Sequence, residues 1–145
     1  MPVSLPFHVS CGLDAPRLYQ RRDGRFQLID QIPATPFMSG YRYLIVEEAL
    51  AAFLADCGVE RVRYEPAILF DRASGTEHGG HVQVHVNQFF ASGDIKDLAL
   101  DGPRILTMND TAYFVSLDLK RQLERSPFAY LRFTEGFTGF AGIAA

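Results

Sequence analysis

The stretch 43–64, YLIVEEALAAFLADCGVERVRY, decides how this chain is read. It passes from a short apolar strand end through an amphipathic helix to a glycine stop and a second strand. Val46, Ala49, Leu50, Phe53 and Leu54 recur at helical spacing and make one apolar stripe. Glu47 and Glu48 fall in the first turn, where carboxylates meet the positive end of the helix dipole. Gly58 stands where a left-handed residue ends a helix at least cost. Beyond it Val59, Val62 and Tyr64 alternate with Arg61 and Arg63, the pattern of a strand with one face in the core.

A similar unit returns from Tyr113, as YFVSLDLKRQLERSPFAYLRFTEGF. The two overlay at a constant offset of 69, with Leu50 on Leu119, Leu54 on Leu123, Val46 on Val115 and Val62 on Leu131. Ser116 is an N-cap, Asp118 lies in the first turn, and Leu119 and Leu123 carry the stripe. Ser126-Pro127 ends the helix, because the residue before proline is pushed out of the helical region. Two readings stay open, a structural duplication and a chance likeness between two helix-strand units.

The rest of the chain fits around this scaffold. Residues 1–40 are broken by Pro2, Pro6, Pro16, Pro33 and Pro36 and read as an irregular arm with short strands at 7–9 and 25–29. Residues 41–137 form the core of a single domain and 138–145 its tail, with Phe137 and Phe140 as anchors near that end. Pro66 marks an edge position or a bulge. Residues 71–80, DRASGTEHGG, are turn-rich and read as an exposed loop. In 81–90, HVQVHVNQFF, Val82, Val84 and Val86 point one way and His81, Gln83 and His85 the other, and this strand pairs with 62–70 as a hairpin. Residues 92–102 read as a helical turn or loop, 103–108 as a strand and Asn109-Asp110 as a turn. The predicted fold is α+β: one domain, a mainly antiparallel sheet packed by about two helices.

Composition narrows the function. At 145 residues the chain is long enough for one proper core, and 48% hydrophobic with 21% charged is ordinary for a soluble globular protein. A net charge of −3 points away from nucleic-acid and membrane-surface partners. Residues 1–10 lack the basic start and apolar run of a secretion signal, and no run approaches the roughly 18 apolar residues that span a bilayer. Two separated cysteines, Cys11 and Cys57, suit reduced thiols in a cytoplasmic protein.

No constellation passes the test of nucleophile, base and oxyanion donors, so no catalytic residue is assigned. His78, His81 and His85 lie close in sequence, but His81 and His85 stand ~13 Å apart along a strand, too far to share one zinc. Gly75, Gly79 and Gly80 lack the Lys-Ser/Thr ending of a phosphate loop. Cys57 has no legible base beside it. No metal or cofactor is therefore expected. Asp94, Asp97 and Asp101, with Glu77 nearby in sequence, form the only acidic concentration off a helix start. A solvated loop accounts for them, and so does a docking surface for a basic partner.

The segments YLIVEEALAAFLADCGVERVRYEPAIL and YFVSLDLKRQLERSPFAYLRF resemble immunity proteins of bacterial polymorphic-toxin systems, the group first recognised in myxobacteria. Val46, Glu47, Leu50, Gly58, Val59, Val62 and Tyr64 match a strand, helix, "G-V-x-x-V-x-F" pattern, and in the second copy Pro127 replaces the glycine. The resemblance spans about 41–137. A related group carries paired CxxCG motifs, which Cys11-Gly12 and Cys57-Gly58 do not form. The resemblance implies a cytoplasmic, non-catalytic inhibitor that sterically blocks a cognate secreted toxin, a nuclease among the candidates. Glu77, His78, Asp94, Asp97 and Asp101 are then the expected partner-binding residues. The alternatives are a small metal- or His-dependent enzyme using His78, His81 or His85, and a structural or adaptor homo-oligomer joined by a sheet edge.

Overall fold

Both copies of the unit fold as their periodicity dictates. The computed structural model describes residues 5–90 and 100–136. Its elements in chain order are β1 (Phe7–Cys11), β2 (Leu18–Gln20), β3 (Phe26–Leu28), β4 (Phe37–Gly40), β5 (Tyr43–Glu47), α1 (Glu48–Asp56), β6 (Val62–Asp71), β7 (Thr76–Val86), β8 (Ile105–Met108), β9 (Ala112–Val115), α2 (Leu117–Glu124) and β10 (Leu131–Glu135). This is an α+β fold, mainly sheet, and among the described residues no helix is long and apolar enough to cross a membrane.

The offset of 69 holds in three dimensions. The helices begin at Glu48 and Leu117, and the strands after them at Val62 and Leu131. A hairpin precedes each helix, β4–β5 in the first unit and β8–β9 in the second. The strands on either side of each helix are held apart by a third strand, antiparallel to both: β7 between β5 and β6, β1 between β9 and β10. Each unit is thus a split β-α-β with a hairpin strand at its edge, in the orders β4-β5-β7-β6 and β8-β9-β1-β10. The larger sheet adds β3, parallel to β6, and then β2. The inserted strand comes from later in the chain in the first unit and from the N-terminal arm in the second. That arm's first strand therefore lies inside a sheet, not at its periphery.

The helices and both sheets share one apolar core. Leu50, Ala51 and Leu54 of α1 and Leu119 and Leu123 of α2 pack with Leu44, Val46, Val84, Val9, Tyr113 and Val115. Each such aliphatic side chain contributes about 1.5–3 kcal/mol by leaving water. The second face of the larger sheet is covered by Leu18, Phe26, Met38 and Leu69, and that of the smaller sheet by Phe90 against Leu106, Met108 and Phe114.

Several expectations shift. Val46 and Glu47 end β5 instead of starting the helix, and Ala49 is exposed while Ala51 is buried. Residues 71–80 are not one loop: the turn is 72–75, and Glu77 and His78 already pair with Phe70 and Leu69 on β6. The glycines explain the misreading. Between the pairs Ala67–His81 and Leu69–His78 the strand β7 carries one extra residue, a bulge that Gly80 absorbs at φ +92°. Pro66 lies just before this irregularity, on the stretch of β6 that β3 does not reach. The tail 138–145 lies outside the described residues, as does Phe137.

Candidate functional site

The most feature-rich surface lies where the β6–β7 hairpin turns. Asp71 ends β6 and caps the turn by accepting from the Ala73 N–H at 3.0 Å. Glu77 accepts from the Arg25 guanidinium at 2.7 Å, and Arg25 also holds Asp23 at 2.8 Å while lying over the Phe70 ring at 4.3 Å. Arg21 approaches the same ring at 5.0 Å. His78 is exposed, with Nε2 3.5 Å from the Thr76 hydroxyl.

Beside this turn the segment after β3 crosses the sheet and leaves a shallow groove of about 380 Å³, with Leu28, Ile32 and Pro33 forming apolar walls and Asp30, Asp71 and His78 the polar ones. Asp30 is bound by Arg17 through both its guanidinium (2.8 Å) and its backbone N–H (2.8 Å). These hydrogen bonds hold the Asp30 carboxyl down at about 2. Ile32 is 38% exposed, so a large apolar side chain of the groove wall stands near a fixed carboxylate.

Of the residues singled out from sequence, His78 lines this groove, whereas Glu77, its neighbour on the extended strand, does not and is held by Arg25 beside Phe70. Nor does Asp101. It sits before β8, its side chain 88% exposed, 3.5 Å from Arg104. Arg104 also reaches Glu60, just ahead of β6, and Gln88, just beyond β7. Asp101 therefore lies at the opposite end of the long hairpin from Glu77, roughly 30 Å along an extended strand of this length. Asp94 and Asp97 lie outside the described residues. Sequence reading missed Asp30 and Ile32, whose only signal is an apolar pair bracketing a charge ahead of Pro33.

The three imidazoles are spread along β7 and serve different neighbours. His81 Nε2 lies 3.1 Å from the Thr35 carbonyl, which can only accept, so that nitrogen carries the proton. His85 Nε2 lies 3.2 Å from Glu65. Among the described residues no group of three or more His, Cys, Asp and Glu is placed to hold a metal. Burial, then Asp56 and Asp118, push the Cys57 thiol up, which disfavours the reactive thiolate. No family model, curated protein or solved structure matches this chain.

Proposed function

We propose that this chain works by binding a protein: an immunity protein that neutralises a cognate bacterial toxin in the cytoplasm by covering it. The observation that carries this reading is the groove beside the β6–β7 turn, where exposed Ile32 stands with Leu28 and Pro33 among Asp30, Asp71 and His78. An apolar centre inside a polar rim is the anatomy of a protein interface. Arg17 neutralises Asp30, and Asp71, which enters no ion pair among the described residues, is the rim carboxylate that suits a basic group of the partner. The sequence resemblance over 41–137 supplies the toxin as that partner.

The test is a growth assay with each secreted protein encoded by the genes flanking this one, followed by titration of any pair in which this chain protects the host. Wild type is expected to rescue growth. Ile32→Asp, which puts a charge into the apolar centre, weakens binding tenfold or more, in line with the ~1–2 kcal/mol of an interface anchor. Asp71→Asn, which keeps the turn cap and removes the charge, slows association, whereas the triple Asp94, Asp97 and Asp101 to Ala variant probes the far end of the hairpin. Full rescue and unchanged affinity in every variant would remove this surface, and failure of wild type to bind would remove the reading.

A further inference from the structure

A strand that is apolar on both faces is ordinarily covered on both, and one end of the larger sheet has cover on one face only. Residues 67–70 of β6, Ala-Ile-Leu-Phe, are apolar without a break. Ala67 and Leu69 turn to the sealed face, where they pack with Leu18 of β2 and Phe26 of β3. On the opposite face α1 lies over β5 and β7, and its cluster reaches the start of β6 at Val62 and Tyr64. Pro66 and Ile68, the next residues on that face, are exposed, Ile68 at 42%.

The strand register shows what shares this bare patch. Gln27 pairs with both Tyr19 and Phe70, and Phe70 with Glu77, so one row crosses β2, β3, β6 and β7. Residues two along each strand point the same way, which adds Arg21 and Arg25 on one side of the row and Ile29 on the other. Tyr19 is 60% and Ile29 46% exposed. With Ile68, three of the seven large apolar side chains exposed among the described residues stand on this one patch. Apolar side chains scattered singly are normal on a surface, whereas a group of them marks a contact.

Charge divides the two faces of this sheet end. The groove face carries the carboxylates Asp30 and Asp71. The bare face carries the guanidinium groups of Arg21 and Arg25 over Phe70, and its carboxylate, Glu77, is already held by Arg25. Arg22 and Arg72 are exposed in the turns at the two ends of the patch, and neither enters an ion pair among the described residues. The complement to this arrangement is an apolar surface flanked by carboxylates.

Size narrows the shape of that complement. From β6 to β2 the patch is about 10 Å wide, and it runs about 15 Å along the strands. A helix is about 10–12 Å across and covers 15 Å in about ten residues. A second copy laid face to face would bury far less than the ~800 Å² per partner of a stable dimer. We propose that the patch receives an amphipathic helix of a partner protein, laid beside α1, its apolar stripe on Tyr19, Ile29 and Ile68 and its carboxylates towards Arg21, Arg22 and Arg72. The groove beside the β6–β7 turn opens on the other face of the sheet, so this site does not rest on the toxin reading.

NMR titration of the whole chain tests it with a synthetic peptide of about 15 residues, long enough to form a helix, with leucines at helical spacing and glutamates elsewhere. One control peptide keeps the leucines and carries lysines for the glutamates; another is interrupted by proline, which forbids the helix. The acidic helix is expected to saturate with a Kd below about 1 mM, shifting Tyr19, Ile29 and Ile68, and to bind more tightly than either control. Ile68→Glu should weaken it roughly tenfold, and the double variant Arg22→Glu, Arg72→Glu roughly fivefold. All three side chains are exposed, so the fold is retained, which an unchanged unfolding midpoint verifies. No saturable shift, equal binding of the lysine or proline peptide, or Ile68→Glu binding like wild type would overturn the assignment. So would self-association that Ile68→Glu abolishes, which would make a second copy the occupant, or tighter binding of a single-stranded oligonucleotide at the same residues.

Discussion

In the first unit α1 leaves β5 at Glu47 without any side-chain cap; in the second, α2 leaves β9 at Ser116, whose hydroxyl accepts from the Leu119 N–H. The backbone at the two positions is nearly superimposable, φ −65°, ψ 155° against φ −70°, ψ 163°. The ends differ too. After α1, Gly58 at φ +78° gives a Schellman closure, with its N–H on Ala55 and that of Val59 on Leu54. After α2, Ser126 bonds back to the Leu123 carbonyl and Pro127 prevents continuation. The hairpins turn through two residues in one unit, Tyr41-Arg42, and through three in the other, 109–111. What the units share is burial at matching positions: Leu50 and Leu119, Leu54 and Leu123, Val46 and Val115. The common plan is therefore set by apolar positions facing one core, and the caps are local solutions fitted to it.

The largest effect follows from that shared core. Leu50→Ala and Leu119→Ala, at equivalent sites, should each cost about 2–5 kcal/mol. Urea unfolding should show a single transition for both variants, and the double variant should depart from additivity because both cavities open into one cluster. Two separable transitions, or one helix tolerating the change, would divide the molecule into independent halves.

The caps come next in size. Ser116 is fully buried, accepts from Leu119 and Arg104 and donates to the Gly102 carbonyl at 2.6 Å. Ser116→Ala should therefore sit at the upper end of a cap's worth, about 2 kcal/mol. Gly58→Ala should cost about 1 kcal/mol. A methyl there meets no atom within 4 Å, so this cost is purely the left-handed backbone. Equal losses for the two variants in thermal unfolding would mean that the capping difference between the units has no energetic counterpart.

The helix stripes and the offset of 69 were legible because both are local and periodic. The strand that completes the first unit was legible as the hairpin partner of 62–70, but its place beside β5 was not; for the second unit, nothing near Phe7–Cys11 announces that it pairs with residues more than 100 positions away. Gly79-Gly80 read as loop because a bulge uses the same residues as a turn. The groove was half visible. His78 stood out by type, but Asp30 and Ile32 reach it only through the parallel pairing of Gln27 with Phe70, a contact that no local pattern encodes, and Glu77 turns to Arg25 instead. Asp101 and Glu77 looked like neighbours as acidic residues flanking one strand, and the eleven residues of β7 keep them apart.

The smallest effect probes a difference between the sheets. The larger one carries an extra cover, β2 and β3, closed by the Arg17 clamp on Asp30. Asp30 ionises at about 2 in the fold, against its ordinary 3.8. A depressed carboxyl pKa gives stability that is present above the unfolded value and lost as pH falls through the folded one, here between about 4 and about 2. Both partners are open to solvent, so the gain is small and salt-sensitive. NMR titration of the Asp30 carboxyl carbon in Arg17→Ala should return it to near its ordinary value. Over the same acid range amide exchange should rise across Leu18–Leu28 before it rises in β8–β10, because only the larger sheet's cover is latched by this carboxylate. Simultaneous opening of both sheets on acidification would show that the clamp holds no part of the molecule on its own.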